Sequence, residues 1–504
     1  MNIVATSSAS KAVVGSFCLV ALPYLLFAVT LPIGIDSGVY MYSGLVITDG
    51  GMPYLDYWDH KGPLLYLFNA AGLWLFGGAA GIILIEGILL FSSLVVSMIL
   101  WQRYLSPVWS LVAAALFAHY FYKMFQGGNS TESWYVPFSL ISYSLAFVSF
   151  VSRDAIEKTR YAYLFSTVAG VSLAVAALTR PNNGLGLAFL MLCFLMTQGT
   201  HFAKHLARMA LSAALIIVPS IFYLSQGGAI EKFVDQYLIF NFAYMKQVGL
   251  LDRAAAFYLL CKEVIFSGLG LAVIGCLWFR FICNFTDSED PKADRFAWIM
   301  IGVFVVEMVS QSFSGRAALH YVSITSSSLC VLLLALLRTV DPAGNGVGLI
   351  KSNIKWGLAL VPVLILVSAS PAKAIYLSFK NGTHTAGSRD YQLSTYLQEH
   401  SATDDKILVH GWSTWLLASS NRRSPTSITY YTPAIEHFKD SYEKYVSDTV
   451  SSRPLYIIED PDSCGLSIEC RSDAGAFLEL RRLLESDYKK EATIHRYIFW
   501  RLKE

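Results

Sequence analysis

Between Gly34 and Tyr66 the sequence runs GIDSGVYMYSGLVITDGGMPYLDYWDHKGPLLY, and it concentrates groups able to do chemistry. Four carboxylates (Asp36, Asp49, Asp56 and Asp59) stand with His60 and Lys61 among six aromatic residues, Tyr40, Tyr42, Tyr54, Tyr57, Trp58 and Tyr66. A carboxylate and a lysine held together suit one kind of reaction. The carboxylate acts as general base on an acceptor hydroxyl or amine. The cation holds a phosphate and stabilises it as leaving group. The plainer alternative is an aromatic belt at a membrane interface, with solvated charges between the rings. Two details weigh against it. Asp36 directly follows an apolar run, where an unpaired carboxylate is costly. Asp59-His60-Lys61 precedes Gly62-Pro63, and a helix opening on proline leaves N–H groups that attract anions.

The elements that position these groups must be membrane spans. The chain has 504 residues, 55% of them hydrophobic and only 15% charged, against about 25% charged in an ordinary soluble domain. Too little charge is present to solvate a surface of this size, so lipid must cover much of it. A formal net charge of +2, with no run of Lys and Arg, sets nucleic-acid binding aside. A span needs about 20 apolar residues. Candidate spans are residues 12–33, 81–101, 107–122, 134–152, 161–178, 184–198, 208–225, 256–279, 296–313, 320–338 and 355–371, about eleven in all. The first is too long for a signal peptide and no cleavage site follows it, so it reads as an uncleaved span. Leu64–Phe76 is too short to cross and reads as an interfacial or re-entrant helix.

Basic residues set the orientation. Arg103, Arg153, Lys158, Arg160, Lys204, Arg208, Arg280, Lys292, Arg295, Arg338, Lys351 and Lys355 fall in alternate connections, which are therefore expected inside. The connections at 34–66, 123–133, 179–183, 226–255 and 314–319 are then outside, as is the polar tail. Residues 1–375 are expected to form the multi-span unit and 376–504 an extracytoplasmic α/β domain. In that tail, Tyr391–Glu399 and Ala476–Glu485 read as helices, and Lys406–His410, Pro454–Ile458 and His495–Leu502 as strands. Cys464 and Cys470 lie there and either form a short-loop disulfide or stay free. Cys18, Cys193, Cys261, Cys276 and Cys330 lie in apolar runs and read as small buried hydrophobes.

An Asp directly after the first span, then G-x-P-Y-x-D (Gly51 to Asp56) and K-x-P-L-x-Y (Lys61 to Tyr66), resembles the integral-membrane glycosyltransferases of the GT-C class. The similarity is to bacterial relatives of the protein O-mannosyltransferases and of the lipid A aminoarabinose transferase. The resemblance implies a polytopic GT-C-like fold, a polyprenyl-phosphate sugar as donor, and transfer outside the bacterial cytoplasmic membrane. It implies Asp36 as the catalytic base and Lys61 as the lysine on the lipid phosphate. The family often has Asp-Glu at the first position. Here it is Asp36-Ser37, so the role of a second acid comes from elsewhere or is absent.

Further residues are expected to join them. Arg316 and His320 correspond to the region where the family binds the lipid phosphate, and Arg180 sits in an outside turn as another phosphate ligand. Asn129, Thr131 and Glu132 would meet sugar hydroxyls or the acceptor, or else only cap a helix. Tyr54, Asp56, Asp59 and His60 are expected on the substrate. No cofactor and no dedicated metal site is read, although Asp56 with Asp59 would bind a divalent cation weakly. An envelope glycan or lipopolysaccharide is the expected acceptor, by family analogy alone. Glu86, Glu263 and Glu307 lie within spans. They would serve as proton relays in the alternative reading, a transporter or lipid-linked glycan flippase, or simply as hydrogen-bonded acids. A glycan polymerase or ligase is the other alternative. It would carry its polar mass between late spans rather than at the end.

Overall fold

The computed structural model describes residues 34–125, 127–282, 290–340, 388–430, 439–461 and 477–504. Five helices among them are long and apolar enough to cross a membrane: Gly78–Trp101, Thr131–Val151, Ala155–Ala177, Gly199–Gln226 and Leu319–Thr339. Expected spans 107–122, 184–198 and 296–313 are helical as well, over Pro107–Met124, Leu185–Met196 and Pro291–Ser312. They do not belong to those five. Expected spans 12–33 and 355–371, and Cys18, Cys283, Cys464 and Cys470, lie outside the described residues.

The expected span 256–279 is instead two helices, Leu250–Ile265 and Gly268–Ile282, which meet at a bend of 80°. Ser267 makes the break. Its hydroxyl donates to the Val264 carbonyl and accepts from the Gly270 N–H. A side chain that satisfies freed backbone groups makes such a bend tolerable in lipid.

The segment 34–66, expected as a loop, begins with a helix. Ile35–Thr48 (α1) carries Asp36 in its first turn and buries Ser37 to Gly44 together with Val46. Its serines and tyrosines suggest a solvated loop, but they are buried against the rest of the protein. Pro63–Phe76 (α2) is the expected short apolar helix, with Pro63 in its first turn and Gly77 at φ 69° closing it. The two pack at small residues: a Cβ on Gly44 would lie 2.8 Å from the backbone of Asn69 and Ala70.

Basic residues at the far end of the bundle find partners there. Arg103 pairs with Glu157 at 2.8 Å and Arg338 with Asp290 at 3.2 Å, and Lys292 donates to the Ser152 carbonyl. The five connections expected on the opposite side converge on one face with α1 and the tail.

The tail holds a four-stranded sheet in the order β1-β2-β4-β3, from Ile407–His410 (β1), Tyr456–Glu459 (β2), Tyr488–Ile494 (β3) and Tyr497–Leu502 (β4). β1 and β2 are parallel and fully buried; the other pairings are antiparallel. His495 belongs to a hairpin turn with Arg496, both at positive φ, and not to the final strand. The unexpected strand, β3, is a charged edge (YKKEATI) whose lysines discourage further pairing. One continuous core joins this sheet to α1 and α2, and includes Tyr40, Tyr57, Leu65, Leu408, Trp415 and Ile457. A Cβ on Gly38 would sit 2.4 Å from that of Trp415, so glycine is what lets the tail seat directly on α1.

Candidate active site

Asp36 faces open space, 55% exposed at the start of α1, with Nε2 of His320 3.7 Å from its Oδ2. The α1 start is held from beneath. The buried Asn129 side chain donates to the carbonyl and hydroxyl of Ser37, both at 3.2 Å. It also exchanges two hydrogen bonds with Asn69, at 2.7 and 3.0 Å, and accepts from the Trp134 indole. Its backbone N–H goes to Glu86. The Asn129 amide is thus fully used inside the protein, which leaves nothing for a sugar. Its placement depends on Gly127, Gly128 and Asn129, all at positive φ, where glycine and asparagine are the tolerant residues.

Lys61 is clamped through its backbone. Its carbonyl accepts from the hydroxyls of Tyr54 (2.7 Å) and Tyr66 (3.0 Å), and its N–H donates to Tyr66. Tyr54 therefore acts on the lysine's position. The following turn is bound to the Arg180 connection: Gly62 N–H donates to the Thr179 carbonyl and Leu64 N–H to the Leu178 carbonyl. The opening N–H groups of α2, expected to be free for an anion, are spent on these carbonyls. Within this turn the side chain of Lys61 is what remains to meet a phosphate.

That side chain ends a chain of contacts. Its Nζ lies 2.7 Å from His60 Nε2, and His60 Nδ1 lies 3.2 Å from Asp59 Oδ1. Burial, then the charge of Arg180, pushes the Lys61 ammonium below its ordinary value, against Asp59, Asp36 and Glu132. Burial and then the charge of Lys61 push the His60 imidazole down too. Burial works to raise the Asp59 carboxyl, but its contacts with His60, Lys61 and Tyr430 outweigh burial and keep it low.

Arg180 is largely buried, with 13% of its side chain exposed. It pairs with the buried Glu132 and lies 4.0 Å above the Tyr321 ring. Glu132 therefore answers a cation and is spent on it. Ser130, not Asn129, caps this helix, in a reciprocal box with Ser133. Thr131 is buried in the first turn. Arg316 is exposed on the last of the converging connections. Asp56 turns away, accepting from the Met52 N–H at 2.7 Å in an exposed turn, while Asp59 is buried. The two carboxylates serve different partners. Among the described residues no group of three or more His, Cys, Asp or Glu is spaced to hold a metal ion.

Several contributors had no signal in the sequence. Tyr430 in the tail donates to Asp59. Gln236 bridges the Tyr54 carbonyl and the Asp59 N–H, and Asn241 donates to the His60 carbonyl. The three acids expected within spans all have partners. Glu307 accepts from the hydroxyls of Tyr143 and Ser328, Glu86 from Asn129, and Glu263 pairs with Lys123 at 3.3 Å.

No family model matches the chain, and no curated protein matches it in sequence. Solved structures do. ArnT from Cupriavidus metallidurans bound to undecaprenyl phosphate is 15% identical, with 97% of each chain covered and a TM-score of 0.59. The same protein in the apo state is 16% identical, with 98% of each chain covered and a TM-score of 0.56. The Archaeoglobus fulgidus oligosaccharyltransferase tethered with an acceptor peptide is 13% identical. There the match covers 97% of this chain and 74% of that one, with a TM-score of 0.50. At such identities the likeness is one of fold, and it extends over nearly the whole chain. The chain has the fold of the ArnT structures.

Proposed function

We propose that this chain is a glycosyltransferase that draws a sugar from a polyprenyl phosphate and delivers it to an envelope glycan or lipopolysaccharide. Transfer would occur on the outer face of the bacterial cytoplasmic membrane. The observation that carries the reading is the meeting, on one face of an ArnT-like fold, of an exposed Asp36 with a lysine–arginine pair, Lys61 and Arg180. ArnT binds undecaprenyl phosphate, and a similar ligand would rest its chain among the spans here and its phosphate at Lys61.

In the reaction, Asp36 takes the proton of the acceptor hydroxyl or amine as that group attacks the anomeric carbon. The bond between that carbon and the phosphate oxygen breaks, and polyprenyl phosphate leaves with the bonding pair. Attack opposite the leaving group would invert the sugar. Lys61, Arg180, Arg316 and His320 offset the charge that develops on the departing phosphate. None of these steps calls on the buried acids, each of which is already hydrogen-bonded or paired within the protein.

Purified protein should transfer sugar from a defined polyprenyl-phosphate donor, and Asp36→Asn should lose that transfer. Equal turnover by the two would remove Asp36 from the role of base. A reporter fused to the C-terminus should signal an extracytoplasmic tail; a cytoplasmic signal would overturn the proposed side of action.

A further inference from the structure

Asp59 is buried among three segments of the chain, with 1% of its side chain exposed. Its Oδ1 accepts from Tyr430 at 2.8 Å and from the His60 N–H at 2.7 Å, and the His60 Nδ1 lies 3.2 Å from the same oxygen, in close contact but outside hydrogen-bond geometry. The other ring nitrogen, Nε2, is 2.7 Å from the Lys61 ammonium. An ammonium can only donate, so Nε2 must be the lone-pair nitrogen of a neutral ring and Nδ1 must carry the proton. The contacts run in one direction: tyrosine hydroxyl to carboxylate, carboxylate against the Nδ1 edge of the ring at 3.2 Å, Nε2 to ammonium. Tyr430 comes from the C-terminal unit, and the backbone beside it is fixed to the same loop, Trp58 N–H donating to the Ser427 carbonyl at 2.8 Å.

We propose that Tyr430 is a positioning residue for the phosphate-binding lysine: through Asp59 and the Nδ1–H tautomer of His60 it sets where the Lys61 ammonium points. The C-terminal unit would then complete the donor site as well as cover it. This rests on the reading of Lys61 as the phosphate ligand. It goes beyond that reading, because it gives the tail a part in donor binding that its distance in sequence conceals. A second-layer partner that fixes tautomer and orientation is what a lysine on a flexible four-carbon stem needs.

The test measures binding of undecaprenyl phosphate in detergent micelles to wild type, Lys61→Ala, Tyr430→Phe and the double variant, each with its melting temperature. Tyr396→Phe, which removes a tail hydroxyl bonded to Glu491, is the control and should bind as wild type does. Tyr430→Phe should weaken binding about tenfold, the loss of one hydrogen bond to a charged group. The double variant should bind no worse than Lys61→Ala alone. Losses that simply multiply, or full affinity in Tyr430→Phe beside weak binding in Lys61→Ala, would overturn the relay and spare the phosphate reading. Equal binding by wild type and Lys61→Ala would remove the phosphate reading, and the relay with it. Nitrogen-15 spectra of histidine-labelled protein read the tautomer without a ligand. The resonances lost in His60→Gln should include an unprotonated Nε2 that moves in Lys61→Ala. A protonated Nε2 would overturn the proposal whatever the binding data show.

Discussion

Nε2 of His320 lies 3.7 Å from Oδ2 of Asp36, joining the first helix after the expected opening span to the helical turn that follows the last of the converging connections. The carboxylate is 55% exposed and the imidazole 15%, so the acid is the group that can reach an acceptor and the histidine stands behind it. Asp36→Asn should therefore lower kcat by at least about a hundredfold, the scale of general base catalysis, with undecaprenyl phosphate affinity unchanged. His320→Gln should cost less in kcat. A larger loss in the histidine variant, measured in the same transfer assay, would move the base to His320.

Lys61 carries the pH dependence expected of donor binding. Burial and then Arg180 depress its ammonium, and only the protonated form attracts phosphate. Donor affinity should thus decline as pH rises, starting below the ordinary lysine value of about 10.4. Lys61→Arg keeps its charge over that range. Its affinity should be lower at neutral pH, since a guanidinium fits the His60 contact differently, but its alkaline decline should shift upward. A titration of binding that declines at the same pH in both proteins would assign the loss to another group.

The ion pair of Glu132 and Arg180 is buried and shared with the Tyr321 ring. Removing one partner strands the other charge, a cost of about 3–5 kcal/mol. Glu132→Gln should lower the melting temperature in detergent more than Glu132→Gln combined with Arg180→Met, which strands no charge. A double variant less stable than Glu132→Gln would show that the guanidinium contributes mainly through its stacking on Tyr321.

Much of this arrangement was legible in the sequence, because lipid imposes long apolar runs and basic residues mark one set of connections. Those two signals alone predict which loops share a face: Asp36, Asn129, Arg180 and Gln236 come from four such loops, and His320 opens the helical segment that follows the fifth. The rest depends on burial, which residue type does not reveal. Asn129 reads equally as a sugar ligand and as an internal amide until its partners, Asn69 and Ser37, are seen. Two glycines before it were a usable hint, since a left-handed turn points to a backbone role. Gln236 and Tyr430 act on a loop some 180 and 370 residues away in sequence, a separation at which no local pattern speaks. α1 has no plain signal in the sequence, because its serines and tyrosines look solvated and are instead packed between α2 and the tail.

Gly62 tests whether backbone placement, rather than charge alone, makes the donor site. A Cβ there would lie 2.1 Å from the Leu178 carbonyl oxygen, which has no freedom to retreat because Leu64 N–H is bonded to it at 3.0 Å. Gly62→Ala must push the 61–64 turn away from the Arg180 connection, and so move Lys61 without changing any charged group. The expected result is a KM for the lipid-linked donor raised about tenfold, the effect of roughly 1.4 kcal/mol, with kcat falling less. Asp36 sits on a different helix and should still accept the acceptor's proton. A variant that lost kcat and kept its donor KM would mean that this turn serves the acceptor side, and that Lys61 does not depend on it for position.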